Sequence, residues 1–368
     1  MKNVCVVLQE HVNIARNEGL QAVVDEFYLG GYIFEEIRFL SVVDIGKLKK
    51  NLASLKIEYE NVCFVAENKL LAFVKGVLTE ELPTAKIYAE FGDALIFDDK
   101  NSTVFLVSQD KTELGVQYVR KACIPFLQKK YGLLFDKIVI RSVGTSETLV
   151  KNLLAETNRR AGNKLFCKHE RKNDEEVIEI IYNSNTPKML ADDVLRILAD
   201  GLGDTMYALE NVTLEEQLVA LLKVRGKKIS VAESFTGGGV AKRIVSVSGA
   251  SEVYFEGLNT YDERSKIKRL GVSAYTLGSF GAVSEKTAYE MALGLLDTGD
   301  CDIAVATTGL AGPKSDKSGL PVGYCCIAVG TKERISVYQY RFDGSREEIT
   351  EKAINYALFL AYKHLKNV

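Results

Sequence analysis

Ser234 and Thr236 stand in the stretch AESFTGGGVAKRI (232–244), directly after the apolar run KISV and before a helical pattern. Two small hydroxyls with three consecutive glycines at a strand-to-helix turn suit two kinds of chemistry. The unpaired N–H groups of a helix start attract negative charge, and glycine lets a ligand approach the backbone closely. The hydroxyls can donate hydrogen bonds or attack a carbonyl. Neither phosphate-binding fingerprint fits, because GGGVAK lacks the G-x-x-x-x-G-K-[ST] spacing and holds no G-x-G-x-x-G. The competing reading is a turn whose glycines serve only close packing of helix on sheet.

A serine nucleophile needs a group to take its proton, and histidine is the usual one. His364 is the one histidine in the C-terminal block, and it sits on an amphipathic helix that reads as solvated or capping. A lysine or tyrosine base is then required, the lysine held neutral by burial or by neighbouring positive charge. GLNTYDERSKIKRLGV (257–272) offers Tyr261 and Lys266 on either side of a polar turn. The alternative is a rim aromatic and a surface charge. In TTGLAGPKSDKSGLPVG (307–323) a buried strand opens into a long loop, where Thr308 and the amides from Gly309 through Ala311 and Gly312 can form a second cradle. A flexible surface crossover is the competing reading.

The elements that position these residues fall into three blocks. Residues 1–136 alternate strands such as NVCVVL, EIRFLSVV, NVCFVA, AKIYAEF and STVFLVS with helical patterns, which predicts a sheet covered by helices. Residues 137–208 predict a small α+β unit: the strand DKIVIRSVG, a helix capped at Thr145 or Ser146, the hairpin pair NKLFCKHERK and EEVIEIIYN, and a helix from Thr186–Pro187 to about Gly201. Residues 209–368 predict an α/β layered domain. Its first helix has a capping box at Thr213 and Glu216 and stops at Gly226, and its last has a second box at Ser345 and Glu348.

Composition narrows the function. A chain of 368 residues favours two or three domains, and 47% apolar with 26% charged residues is ordinary for a globular protein. No apolar run approaches the ~20 residues of a membrane span, and MKNVCVVLQEHV reads as a strand rather than a secretory signal, so a cytoplasmic location is expected. A formal charge of −2 gives no broad cationic surface for nucleic acid, and RSKIKR (264–269) and KHERK (168–172) read as solvated faces. The seven cysteines lack metal or C-x-x-C spacing and read as buried free thiols.

AESFTGG, GASEVYFEGLNTYDERSK, FGAVSE, TTGLAGP, LPVG and FDGSRE, in that order, resemble the CinA family, whose C-terminal domain is a nicotinamide-nucleotide amidohydrolase. The segment LGDTMYALENVTLEEQLVALLKVRG resembles the join between that family's middle and C-terminal domains. The resemblance implies deamidation of nicotinamide mononucleotide to the acid and ammonia, in pyridine-nucleotide recycling, without a cofactor or metal. It implies Ser234 as nucleophile, Lys266 as general base and Tyr261 as its hydroxyl partner. Ser251, Thr308 and Arg346 match positions used in catalysis or substrate binding, and the amides of Thr236, Gly237 and Gly238 would serve the phosphate or the oxyanion. A homodimer is implied as well. The alternative is a nucleotide-binding scaffold or regulatory protein with impaired catalysis.

Several residues depart from the family pattern. Asp262-Glu263 replaces Ser-Asn before the lysine, and a carboxylate there favours the protonated lysine unless Glu263 points into solvent. Lys314, Ser315 and Asp316 stand where paired glycines are usual, and a second arginine after Arg346 is missing. Residues 1–136 are expected to be a divergent molybdopterin-binding-like domain without chemistry, a scaffold or dimerisation domain. LQEHVNIARNEG and VAENKLLAFVKG replace the family's glycine cradle and paired aspartates. The middle block has a K-homology-like order of elements but no G-x-x-G loop among basic residues.

Overall fold

The computed structural model describes all residues except 12–17, 92, 93, 100, 101, 111, 163, 314–318 and 368. The class is mixed α/β, with three sheets among the described residues. The chain forms two compact units, Met1–Asp136 with Ile181–Pro187, and Lys137–Ile180 with Lys188–Val368.

In the first unit six strands, β1 (Asn3–Gln9), β2 (Glu36–Ser41), β3 (Asn61–Ala66), β4 (Lys86–Phe91), β5 (Ala94–Asp98) and β6 (Thr103–Ser108), make one sheet in the order β2-β1-β3-β6-β5-β4. The first four strands in that order are parallel, and β5 and β4 add an antiparallel edge. β1 and β3 are buried along their whole length, as a parallel sheet covered on both faces requires. The helices are α1 (Glu18–Leu29), α2 (Ile45–Glu58), α3 (Asn68–Glu81), α4 (Thr112–Tyr118) and α5 (Ile124–Tyr131). Leu48, Leu52 and Leu55 of α2, with Leu70, Leu71, Val74, Val77 and Leu78 of α3, fill one core, while Val23 and Phe27 of α1 fill the other.

Among the described residues the other two sheets lie in the second unit, apart from the first residues of β7 and the last of β9. β7 (Phe135–Val143), β8 (Leu165–Lys172), β9 (Glu175–Asn183) and β10 (Met206–Ala208) run in the order β10-β7-β9-β8, with α6 (Glu147–Ala161) and α7 (Lys188–Leu202). Ser146 caps α6, its hydroxyl accepting from Leu149 N. The larger sheet has the order β12-β11-β13-β14-β15, from β11 (Ile229–Glu233), β12 (Tyr254–Asn259), β13 (Ile303–Gly309), β14 (Tyr324–Gly330) and β15 (Ile335–Arg341). β11 is parallel to β12 and β13, and the other pairs are antiparallel. Its helices are α8 (Leu214–Arg225), α9 (Gly239–Val245), α10 (Glu263–Leu270), α11 (Ala274–Phe280), α12 (Glu285–Leu296) and α13 (Arg346–Asn367). Residues of α8, α9 and α13 pack on one face and residues of α10 and α12 on the other. Both expected capping boxes form, at Thr213/Glu216 and at Ser345/Glu348.

Val143, Tyr207 and Ala208 of the smaller sheet belong to the same core as α8 and α13, so the line drawn at 208/209 runs through shared packing. The Asn173–Asp174 hairpin tip, with positive φ at both residues, adds to the join. Asn355 of α13 donates its amide to Asn173 O at 2.9 Å and accepts from Arg243 Nη1 at 2.9 Å.

Segment 257–272 corrects an expectation. The polar turn between Tyr261 and Lys266 is instead the start of α10. Asp262 caps it by accepting from Arg264 N at 2.8 Å, Gly271 ends it in the left-handed region, and Lys266 and Leu270 share its buried face.

Candidate active site

β11 lies between its two parallel neighbours, and the chain leaves the sheet at Ser234, whose N–H donates to Thr307 O at 3.1 Å. Gly237 N then donates to Ser234 O at 3.1 Å, closing a turn in which Gly237 and Gly238 have φ of 63° and 97°. Gly239 lets the helix start lie close to α13, since a Cβ there would come 2.3 Å from Ile354 Cδ1 and that side chain would have to shift. The turn therefore meets the packing demand as well as presenting a hydroxyl.

Glu233, the last residue of β11, is 1% exposed, and its carboxylate accepts from Gly238 N (3.0 Å), Val240 N (3.1 Å) and Ala241 N (2.8 Å). The start of α9 is thereby satisfied and its charge offset. This corrects the anion cradle expected at Gly238, because that N–H is already spent on a protein carboxylate. The amides of Phe235 and Thr236 donate to no acceptor among the described residues. The Thr236 hydroxyl is paired with that of Thr307 at 2.6 Å.

Lys266, 1% exposed, reaches from α10 to place Nζ 3.0 Å from Ser234 Oγ. Nζ also donates to Thr260 O at 2.5 Å and Tyr261 O at 3.4 Å. Two carbonyls thus take two of its three donors. The third position, a proton in the ammonium and a lone pair in the amine, faces Ser234. Burial pushes Lys266 down to about 8, against the pull of Glu263 and Asp262. Both carboxylates are exposed, and Asp262 is spent on Arg264 N and Nε, which answers the concern raised by the departure from Ser-Asn. At pH 7 roughly a tenth of a lysine with that value is neutral.

Tyr261 is 64% exposed and meets Lys266 only through its carbonyl, with its hydroxyl turned to Arg346 Nη2 at 3.4 Å. Its expected part as hydroxyl partner of the lysine is corrected by that orientation. Arg346, exposed in the first turn of α13, donates Nη1 to Gly312 O at 2.6 Å. Thr308, buried, donates its hydroxyl to Ala282 O at 2.6 Å. Gly309 lets Phe235 close on Cys325, since a Cβ would come 2.9 Å from the Phe235 ring, and Ala311 is buried in the same cluster as Phe235 and Phe342. Ser251 is exposed before the start of β12, where Tyr254 pairs with Ile229, whereas Ser234 follows the far end of β11. At ~3.3 Å per residue that sets the two serines roughly 15 Å apart along the strands, so this chain does not bring Ser251 to the dyad. Lys314, Ser315 and Asp316 lie outside the described residues.

The sequence reasoning missed Glu233, Thr260 and Thr307. The available signal for Glu233 is a carboxylate at a strand end just before a glycine-rich helix start. A groove of about 860 Å³ lined by Phe280, Ser284, Glu285, Tyr289 and Tyr324 includes neither Ser234 nor Lys266. The hydrogen-bonded pair is the candidate site, because proton transfer is decided by geometry at the reacting atoms. All seven cysteines are free, and no group of three His, Cys, Asp or Glu among the described residues is placed to hold a metal ion. No helix among the described residues is long and apolar enough to cross a membrane.

Residues 211–365 match the family described as the CinA C-terminal domain. A putative competence-damage inducible protein of Caldicellulosiruptor saccharolyticus is 36% identical over 248 residues, 66% of this chain and 60% of its own length. A CinA-like protein of Kosmotoga olearia is 33% identical over 267 residues, 72% of this chain and 64% of its own. The matches thus span about three-fifths of the length of these curated relatives. A crystal structure of a competence-damaged protein (CinA) superfamily member from Klebsiella pneumoniae is 31% identical, covers 42% of this chain and 97% of its own, and has a TM-score of 0.41. The chain belongs to the CinA family, and residues 211–365 are its CinA C-terminal domain.

Proposed function

We propose that the protein is a nicotinamide-nucleotide amidase, converting nicotinamide mononucleotide and water to nicotinic acid mononucleotide and ammonia, as a cytoplasmic homodimer. The observation that carries this reading is the buried Lys266 amine 3.0 Å from Ser234 Oγ, with its proton affinity lowered by burial. Neutral Lys266 takes the Ser234 proton as Oγ attacks the amide carbon. The amides of Phe235 and Thr236 receive the developing oxyanion. The resulting ammonium returns the proton to the departing nitrogen, ammonia leaves, and an ester on Ser234 remains. Water, deprotonated by the same amine, then cleaves that ester to release the acid and restore the hydroxyl. The test is ammonia release on incubation with nicotinamide mononucleotide, and its dependence on Ser234.

Two further outcomes follow. kcat/KM is expected to rise with pH through an apparent pKa near 8 and then level, because only the neutral amine accepts the serine proton. A profile flat from pH 6.5 to 9.5 would contradict Lys266 as the base. Arg346, linked to Lys266 through the hydroxyl and carbonyl of Tyr261, is the group offered to the 5′-phosphate. Arg346→Gln should raise KM for the mononucleotide by about 10- to 100-fold with kcat within a few-fold. The same variant should leave the phosphate-free riboside little changed, and equal losses on both substrates would remove the arginine from phosphate binding.

The scaffold reading is favoured by one observation, that Glu233 already occupies the start of α9 and leaves a single arginine for phosphate. Tight nucleotide binding by calorimetry with no ammonia release would select it.

A further inference from the structure

We propose that Glu233 is the positioning residue of the Ser234–Lys266 pair, holding the nucleophile's turn with its side chain and the lysine's seat with its main chain. The proposal rests on the reading of Ser234 and Lys266 as nucleophile and base, but not on the identity of the amide.

The hydrogen bonds of the Glu233 carboxylate go to Gly238, Val240 and Ala241, not to Ser234 or Lys266. The carboxylate is buried, and its three N–H bonds all come from residues just beyond the turn. Buried carboxylates are retained only where their hydrogen bonds are complete, and three N–H donors satisfy one without a cation. Those bonds fix residues 234–238 from below. The two amides after the serine, Phe235 and Thr236, are left out of that arrangement and donate to no acceptor among the described residues.

The main chain makes the second link. Glu233 pairs in register with Asn259 of β12 and Thr307 of β13. Its carbonyl accepts from Thr260 N at 2.7 Å, and Thr260 O in turn receives Lys266 Nζ at 2.5 Å. Thr260 is 1% exposed, so this relay is sealed from water. One residue therefore sets both ends of the 3.0 Å contact between Nζ and Oγ. A shift of an ångström at either end is enough to spoil proton transfer.

Glutamine at 233 keeps the size but has one acceptor oxygen, and its NH₂ group opposes a backbone N–H. Aspartate keeps the charge but is one methylene too short to reach all three amides. The experiment measures kcat and KM for nicotinamide mononucleotide, the rate of covalent labelling of Ser234 by an aryl fluorophosphonate across pH, and thermal melting, for the parent, Glu233→Gln and Glu233→Asp. The expected result is a fall of about 30- to 300-fold in both kcat and labelling rate for Gln and a smaller fall for Asp. KM should stay within about threefold, and the pH midpoint of labelling should stay where the parent has it, because the base itself is intact.

A folded Gln variant labelled within threefold of the parent would overturn the proposal. Loss of fold in both variants would also overturn it, making Glu233 a residue that holds the fold and nothing more. A parent enzyme that labels at Ser234 yet releases no ammonia from the mononucleotide would end the amidase reading, while the labelling rates would still decide the part played by Glu233. No labelling of the parent would remove the dyad and this inference with it.

Discussion

Ser234→Ala is expected to lower ammonia release from nicotinamide mononucleotide by at least about 10³-fold, with nucleotide binding by calorimetry within a few-fold of the parent. Among the described residues, the neighbouring threonine hydroxyls are already committed. Thr236 Oγ1 is committed to Thr307 Oγ1 at 2.6 Å, and Thr308 Oγ1 to Ala282 O at 2.6 Å. The substitution removes one acceptor from Lys266 Nζ but leaves the Thr260 and Tyr261 carbonyls. The local structure should therefore persist, and melting should change by no more than a surface substitution does. Retained turnover in this variant would refute a covalent serine mechanism outright.

Lys266→Met is expected to be as severe for activity, about 10³-fold or more, and to act in the opposite direction on stability. Lys266 is 1% exposed and burial holds it down to about 8. From the usual lysine value that shift corresponds to a cost on the order of 3 kcal/mol of stability below pH 8. The sign follows from proton counting. Between about pH 8 and the ordinary lysine range, the unfolded chain binds a proton that the folded chain does not, so the parent gains stability as pH rises through that window. Below pH 8 both states are protonated and the penalty is constant. Methionine fills similar volume without charge, and the variant should melt higher than the parent at pH 7 and lose the pH dependence of that window. A Met variant that melts several degrees lower would mean that the bonds to Thr260 and Tyr261 outweigh the desolvation of the amine.

The Ser234 turn could be read from the sequence because its signal is local: an apolar run, a hydroxyl, then glycines that only a sharp strand-to-helix bend requires. Lys266 could be named, but the element carrying it could not be derived from pattern. ERSKIKRL presents Lys266 and Leu270 on its buried face, and a lysine there erases the apolar stripe that marks a helix. What fixes the helix is its caps, Asp262 and Gly271. Tyr261 was misassigned for a related reason, since sequence proximity to Lys266 says nothing about which way the ring turns once a strand ends. Glu233 carries only a faint signal, its place at a strand end before a glycine-rich helix start, because a carboxylate in a strand looks like a solvated one until the following helix folds back over it. Ser251 is joined to the site by resemblance, and the parallel pairing of β11 with β12 sends it to the opposite end of the strands.

The bridge made by Asn355 sets a practical limit on dissecting the molecule. Its amide group answers the hairpin tip at Asn173 on one side and Arg243 on the other, while Arg243 also grips Glu215 at 2.5 Å. A truncated version beginning at residue 209 would expose an unanswered donor on α13 and bare the Tyr356 ring that lies against Gly144. The smaller sheet is thus a splint bound to the layer of the larger one, and a fragment made for crystallography or assay is sounder when it keeps the whole of β7, from residue 135.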